Sequence, residues 1–130
     1  MSERLRILLI DDEEVVSRRL RPALEREGYE VESFMVGKDA LASIATKDFD
    51  VVVTDLRIDE VNGLQVLEAA RKKSSKTKVV LITGFATTEL AREALAKGAF
   101  EVIAKPFKPQ DLRDAISRAI AAADPVGSRV

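Results

Sequence analysis

The chain has 130 residues, 46% of them apolar, and its 21 basic and 22 acidic side chains leave a net charge of −1. That is enough material for one domain with a single core, and the near-neutral balance excludes a global field drawing the protein onto nucleic acid or an anionic membrane. With no cysteine and no histidine, the sequence also excludes disulfides, thiolate zinc sites, thiol nucleophiles and imidazole bases, so any chemistry runs on Asp, Lys, Thr and Ser.

The start, Met1-Ser2-Glu3-Arg4-Leu5-Arg6, is charged and leads into only a short apolar run. It fits neither a signal peptide nor a membrane span, and a cytoplasmic location is expected. Ile7-Leu8-Leu9-Ile10 is too short for a helix and reads as a buried strand ending at Asp11-Asp12. From Glu13 to Glu27, Val16, Leu20, Ala23 and Leu24 recur at helical spacing, with Gly28 placed to end the helix. Pro22 conflicts with that pattern, and a kink one turn before it is expected.

Tyr29 to Phe34 alternates charged and apolar residues, as an edge strand does. Gly37 opens a second helix through Ala40, Leu41 and Ile44 to about Lys47. Asp50-Val51-Val52-Val53-Thr54-Asp55 has no polar face until its end and predicts the central strand of a parallel sheet. A polar loop over 57–62 follows, then a helix from Gly63 carrying Leu64, Leu67 and Ala70, and a solvated basic connector over 72–76. Val79 to Ile82 is a fourth strand ending at Thr83-Gly84, followed by a helix from about Thr87 to Lys97 that Gly98 stops. Phe100 to Ala104 is the last strand, ending at Lys105-Pro106, and Pro109 starts a fifth helix with Leu112, Ala115, Ile116, Ala119 and Ile120 on its apolar stripe. Periodicity is lost from Asp124, so residues 1–123 are expected to form the domain and 124–130 a flexible tail or the start of a linker.

The order is βα repeated five times, which implies an α/β fold: a doubly wound, five-stranded parallel sheet covered by helices on both faces. In such sheets ligands bind at the carboxyl ends of the strands. Those ends carry Asp11-Asp12, Asp55, Thr83 and Lys105. Three carboxylates brought together repel, and a hard divalent cation such as Mg²⁺ relieves the repulsion and prefers oxygen ligands. A lysine and a threonine opposite a cation-bound carboxylate suit a phosphoryl group. Each residue alone has an ordinary explanation: an N-cap pair, a strand end, a surface charge. Their coincidence at successive buried-strand ends does not.

These residues, with Asp55-Leu56, Gly63-Leu64, Leu81-Ile82-Thr83-Gly84, Gly98-Ala99 and Lys105-Pro106-Phe107, closely resemble the receiver domain of two-component response regulators over residues 4 to 122. The resemblance implies a flavodoxin-like strand order 2-1-3-4-5 and a signalling switch rather than an enzyme with turnover. It implies that Asp55 accepts a phosphoryl group from a sensor histidine kinase or a small phosphodonor. Asp12, Asp55 and the backbone carbonyl of Arg57 would bind Mg²⁺ (or Mn²⁺) directly, with Asp11 acting through water. Thr83, the Gly84 backbone and Lys105 would contact the phosphoryl group, with Lys105–Pro106 cis. The readout would be the surface of the fourth helix, fifth strand and fifth helix, offered to a partner, an output domain or a second copy. Ala91, Arg92, Arg113 and Arg118 lie on it. A histidine phosphotransfer protein of a relay is the alternative partner that the resemblance implies, and neither nucleic acid nor membrane is expected to be engaged by this domain directly.

The sequence departs from the family at several positions. Val102 stands where an aromatic usually swings inward, Asp59 stands where proline is common and predicts a looser, more acidic loop, and Arg57 and Phe85 occupy positions that tune hydrolysis of the acyl phosphate. Neither of the last two orients a water readily, which implies a long-lived phosphoaspartate. Three other readings remain. A haloacid-dehalogenase-type phosphatase would carry a second Asp where Arg57 stands; a flavodoxin-like cofactor binder would need a phosphate loop where Asp11-Asp12 stands; a non-phosphorylated scaffold of the same fold would be expected to lose pocket residues.

Overall fold

Short β-branched runs alternate with amphipathic stretches along the whole chain, and the computed structural model, which describes residues 4–11, 13–84 and 88–122, turns that alternation into five βα units. The strands are β1 (Arg6–Ile10), β2 (Glu30–Phe34), β3 (Val51–Asp55), β4 (Lys78–Thr83) and β5 (Glu101–Ala104). The helices are α1 (Glu14–Arg26), α2 (Gly37–Thr46), α3 (Gly63–Lys73), α4 (Thr88–Ala96) and α5 (Pro109–Ala121). All pairings are parallel and the order is β2-β1-β3-β4-β5, as the sequence implied. β3 is the middle strand and is buried along its entire length.

Alternation along the strands divides the core in two. Leu8, Ile10, Val52 and Leu81 face α2, α3 and α4 through Ile44, Leu67 and Ala94. Ile7, Leu9, Val53 and Ile82 face α1 and α5 through Leu20, Leu24, Leu112 and Ile116. Successive residues of the continuous runs therefore pack on opposite faces, which is why those runs show no polar side. Thr54 is buried in β3, and its hydroxyl is satisfied by donating to the Asp55 carbonyl at 2.9 Å.

The helix ends follow local chemistry. Gly28 and Gly98 adopt φ of 97° and 105°, conformations that stop α1 and α4 and that a side chain would strain. Asn62 and Gln65 form a capping box at the start of α3, the Asn62 side chain accepting from the Gln65 amide at 2.9 Å and the Gln65 side chain accepting from the Asn62 amide at 2.8 Å. Pro22, expected to kink α1, lies inside a helix assigned without a break from Glu14 to Arg26. The basic connector begins later than the sequence suggested: α3 continues through Lys72 and Lys73, and the exposed Lys73 donates to Asp48 at 2.9 Å. The proposed tail over 124–130 lies outside the described residues.

Leu67 is fully buried on α3 between the sheet and the loop after β3. Leu67→Ala is expected to lower the unfolding free energy by about 3 kcal/mol, read as a shift of the urea midpoint with an unchanged slope.

Candidate functional site

The carboxyl ends of β1, β3 and β5 bring Asp11, Asp55 and Lys105 together, and the start of α1 adds Glu13. The carboxylates of Asp11, Glu13 and Asp55 offer oxygens that all lie within 4.8 Å of one another. Lys105 Nζ sits among them, 2.5 Å from Asp55 Oδ2, 2.5 Å from Glu13 Oε1 and 3.5 Å from Asp11 Oδ2. Burial works against its charge, but the hydrogen bonds to Asp55 and Glu13 and the field of Asp11 outweigh it, and the ammonium titrates well above the usual lysine range. Lys105 is therefore a fixed positive charge at any physiological pH.

Asp55 is 6% exposed. Lys105 holds its Oδ2, and the backbone amide of Arg57 donates to Oδ1 at 3.0 Å. Asp11 is 4% exposed and less well served. Its Oδ1 accepts from the Glu13 amide at 2.7 Å, whereas Oδ2 has no hydrogen-bond partner among the described residues, the lysine at 3.5 Å supplying charge but no bond. Burial raises the Asp11 carboxyl above the ordinary carboxylate value, and the charges of Asp55 and Glu13 push the same way against the Glu13 amide and Lys105. A buried, unbonded carboxylate oxygen beside two more carboxylates fits a hard divalent cation, and Asp11, Glu13 and Asp55 are the described residues that fit it.

The neighbouring strand ends are tied to this cluster through the backbone. The Lys105 amide donates to the Thr83 carbonyl at 2.8 Å, and the Leu56 amide to the Ile82 carbonyl at 2.8 Å. Thr83 is buried at the end of β4, one residue beyond the register partner of Asp55. A side chain at Gly84 would meet nothing within 4 Å among the described residues. Gly63, by contrast, has no room: a Cβ there would lie 2.7 Å from the Asp55 carbonyl oxygen, so glycine lets α3 start directly against the end of β3. The Lys105–Pro106 peptide is cis.

Asp12 and Phe85, both singled out in the sequence, lie outside the described residues. Val102 is partly buried against the α2, α3 and α4 side of the core. On the fifth-helix face, Arg118 pairs with Glu101 at 2.7 Å and Arg113 with Glu27 at 3.1 Å, so both arginines have partners within the domain. Glu13 escaped the sequence reading because it looks like the first acidic residue of a helix; its position directly after two aspartates was the available signal. Asp59, at the position where the sequence lacks a proline, accepts two backbone hydrogen bonds, from Gly37 and from Val61.

A family model for the response regulator receiver domain matches residues 7–117. The chain belongs to that family. Among curated relatives of this receiver domain, the regulatory protein AtoC of Escherichia coli (strain K12) is 38% identical over 115 residues, covering 88% of this chain and 25% of AtoC. The receiver thus spans about a quarter of that relative's length. A CheY-like receiver domain protein from Methanospirillum hungatei JF-1 superposes with a TM-score of 0.85 at 32% identity, over 91% of this chain and 94% of the other. A response regulator from Burkholderia pseudomallei, solved with a phosphorylated aspartic acid, a calcium ion and citrate, gives 0.79 at 28% identity, over 88% and 68%.

The Asp11 carboxyl titrates higher in the folded receiver than in the unfolded chain. Its stabilising contribution is therefore complete below the unfolded value and lost as pH rises through the folded one. Asp11→Asn keeps the acceptor for the Glu13 amide and removes the charge. At pH 7 in EDTA it is expected to raise the melting temperature by about 3 °C, while added Mg²⁺ should stabilise the wild type more than the variant, both read by calorimetry.

Proposed function

We propose that this receiver is a phosphorylation-controlled signalling switch in which Asp55 takes a phosphoryl group from a sensor histidine kinase, a histidine phosphotransfer protein or a small phosphodonor. The observation that carries the reading is the Asp55 carboxylate itself: buried at the end of the central strand, gripped on one oxygen by Lys105 and on the other by the Arg57 amide. A carboxylate so oriented is a nucleophile held in one geometry.

In the transfer, an Asp55 oxygen forms a bond to phosphorus as the bond from phosphorus to the donor's nitrogen or oxygen breaks, and the donor leaves with that electron pair. Lys105, positively charged throughout, pairs with the phosphoryl oxygens. Asp11, Asp12, Asp55 and the Arg57 carbonyl would hold Mg²⁺, or Mn²⁺ in its place, which supplies charge neutralisation when bound. The unbonded Asp11 oxygen supports a cation there.

The new dianionic group gives Thr83 and the Gly84 amide an acceptor. Movement of Thr83 then reaches α4 and β5, changing the α4, β5 and α5 surface for a protein partner, an output domain or a second copy. Val102 has no ring to swing, so either the signal runs through Thr83 and α4 alone or it leaves by a different face. Residues 1–123 form the switch in this reading, which involves no nucleic acid or membrane contact of its own; among the described residues no helix is long and apolar enough to cross a membrane.

Incubation with acetyl phosphate and Mg²⁺ should add one phosphoryl mass to the wild type and none to Asp55→Asn, measured on the intact protein. An adduct that survives Asp55→Asn would refute the assignment. Phe85→Glu is expected to shorten the lifetime of the adduct by admitting and orienting water; an unchanged decay rate would count against shielding by Phe85.

A further inference from the structure

Helix α2 begins without a cap of its own. Its N-cap position is Val36, which has no side-chain oxygen, and the amide of Gly37 donates instead to Asp59 Oδ2 at 3.1 Å, from the loop that follows the phosphoacceptor. The other oxygen, Oδ1, accepts from the Val61 amide at 2.9 Å. One carboxylate thus closes the turn after β3 and fastens it to the positive end of α2. The fit is close: a Cβ at Gly37 would lie 2.6 Å from Val61 Cβ and 2.9 Å from Asp59 Oδ1. On the near side of the turn, Arg57 bridges to Asn62, which caps α3, and the Arg57 amide donates to Asp55 Oδ1 at 3.0 Å.

We propose that Asp59 is a positioning residue for the phosphoacceptor: by capping α2 across space it fixes the loop whose Arg57 amide orients the Asp55 carboxylate. The Asp59 carboxylate joins the Gly37 and Val61 amides, Val61 leads along the chain to Asn62, Asn62 bridges to Arg57, and the Arg57 amide reaches the Asp55 carboxylate. Asp59 is exposed, so water replaces part of what its removal takes away, and the effect is graded rather than all or none. The catalytic consequence rests on the phosphoacceptor reading; the structural linkage does not.

The test compares Asp59→Ala, Asp59→Asn and, as a control that trims the buried face of α2, Ile44→Val. Amide hydrogen exchange followed by NMR needs no phosphoryl donor. Asp59→Ala is expected to speed exchange at Gly37 and Arg57 by about fivefold, with Asp59→Asn between it and the wild type because an amide keeps only one acceptor. Ile44→Val should leave these two amides no more affected than the rest of the domain. Phosphorylation by acetyl phosphate at saturating Mg²⁺ should slow about fivefold in Asp59→Ala and not in Ile44→Val. Unchanged exchange at Arg57 in Asp59→Ala overturns the proposal, and faster exchange with an unchanged phosphorylation rate overturns its positioning role. A wild type that takes up no phosphoryl group defeats the phosphoacceptor reading instead, and the exchange data still decide the linkage.

Discussion

The interaction on which the site depends is the meeting of one ammonium with three carboxylates at the end of a buried sheet. Asp11, Glu13 and Asp55 repel one another, and Lys105 is the charge that lets them stand within a few ångströms. The compensation is incomplete, since one Asp11 oxygen is buried with no hydrogen bond among the described residues. The domain thus holds an electrostatic imbalance that a cation or a redistribution of charge at Asp55 would change.

The rest of the fold brings these groups together without letting them collapse. β3 runs through the middle of the sheet between two separate apolar layers, so Asp55 emerges from a rigid strand. Backbone hydrogen bonds from Leu56 to Ile82 and from Lys105 to Thr83 lock the neighbouring strand ends to it. Gly63 brings α3 against the end of β3, and Asp59 ties the intervening loop to α2. Asp55 is accordingly held both by the loop that follows it, through the Arg57 amide, and by the start of α3 packed against its backbone.

Much of this was legible before any coordinates. The runs Ile7 to Ile10, Val51 to Val53 and Val79 to Ile82 read as buried strands because a chain covered on both faces has no reason to alternate. The polar residues at their carboxyl ends pointed to the site because parallel topology puts those ends on one edge. Less legible were features set by contacts between distant segments. Nothing near Lys73 in the sequence shows its partner Asp48, and nothing near Glu13 shows Lys105, 92 positions away. At Asp59 the sequence shows only the missing proline φ, and the two backbone hydrogen bonds its carboxylate accepts come from Gly37, far along the chain, and from Val61.

The sequence by itself determined the strand and helix order, the parallel sheet and the family, because hydrophobic periodicity and strand-end chemistry are local properties that a single chain displays. Only the tertiary structure decided which carboxylates share Lys105, which Asp11 oxygen goes unbonded, and that the cap of α2 comes from the loop after β3. Those are distances of a few ångströms between residues far apart in the chain, fixed by how the packed layers bring the loops into register.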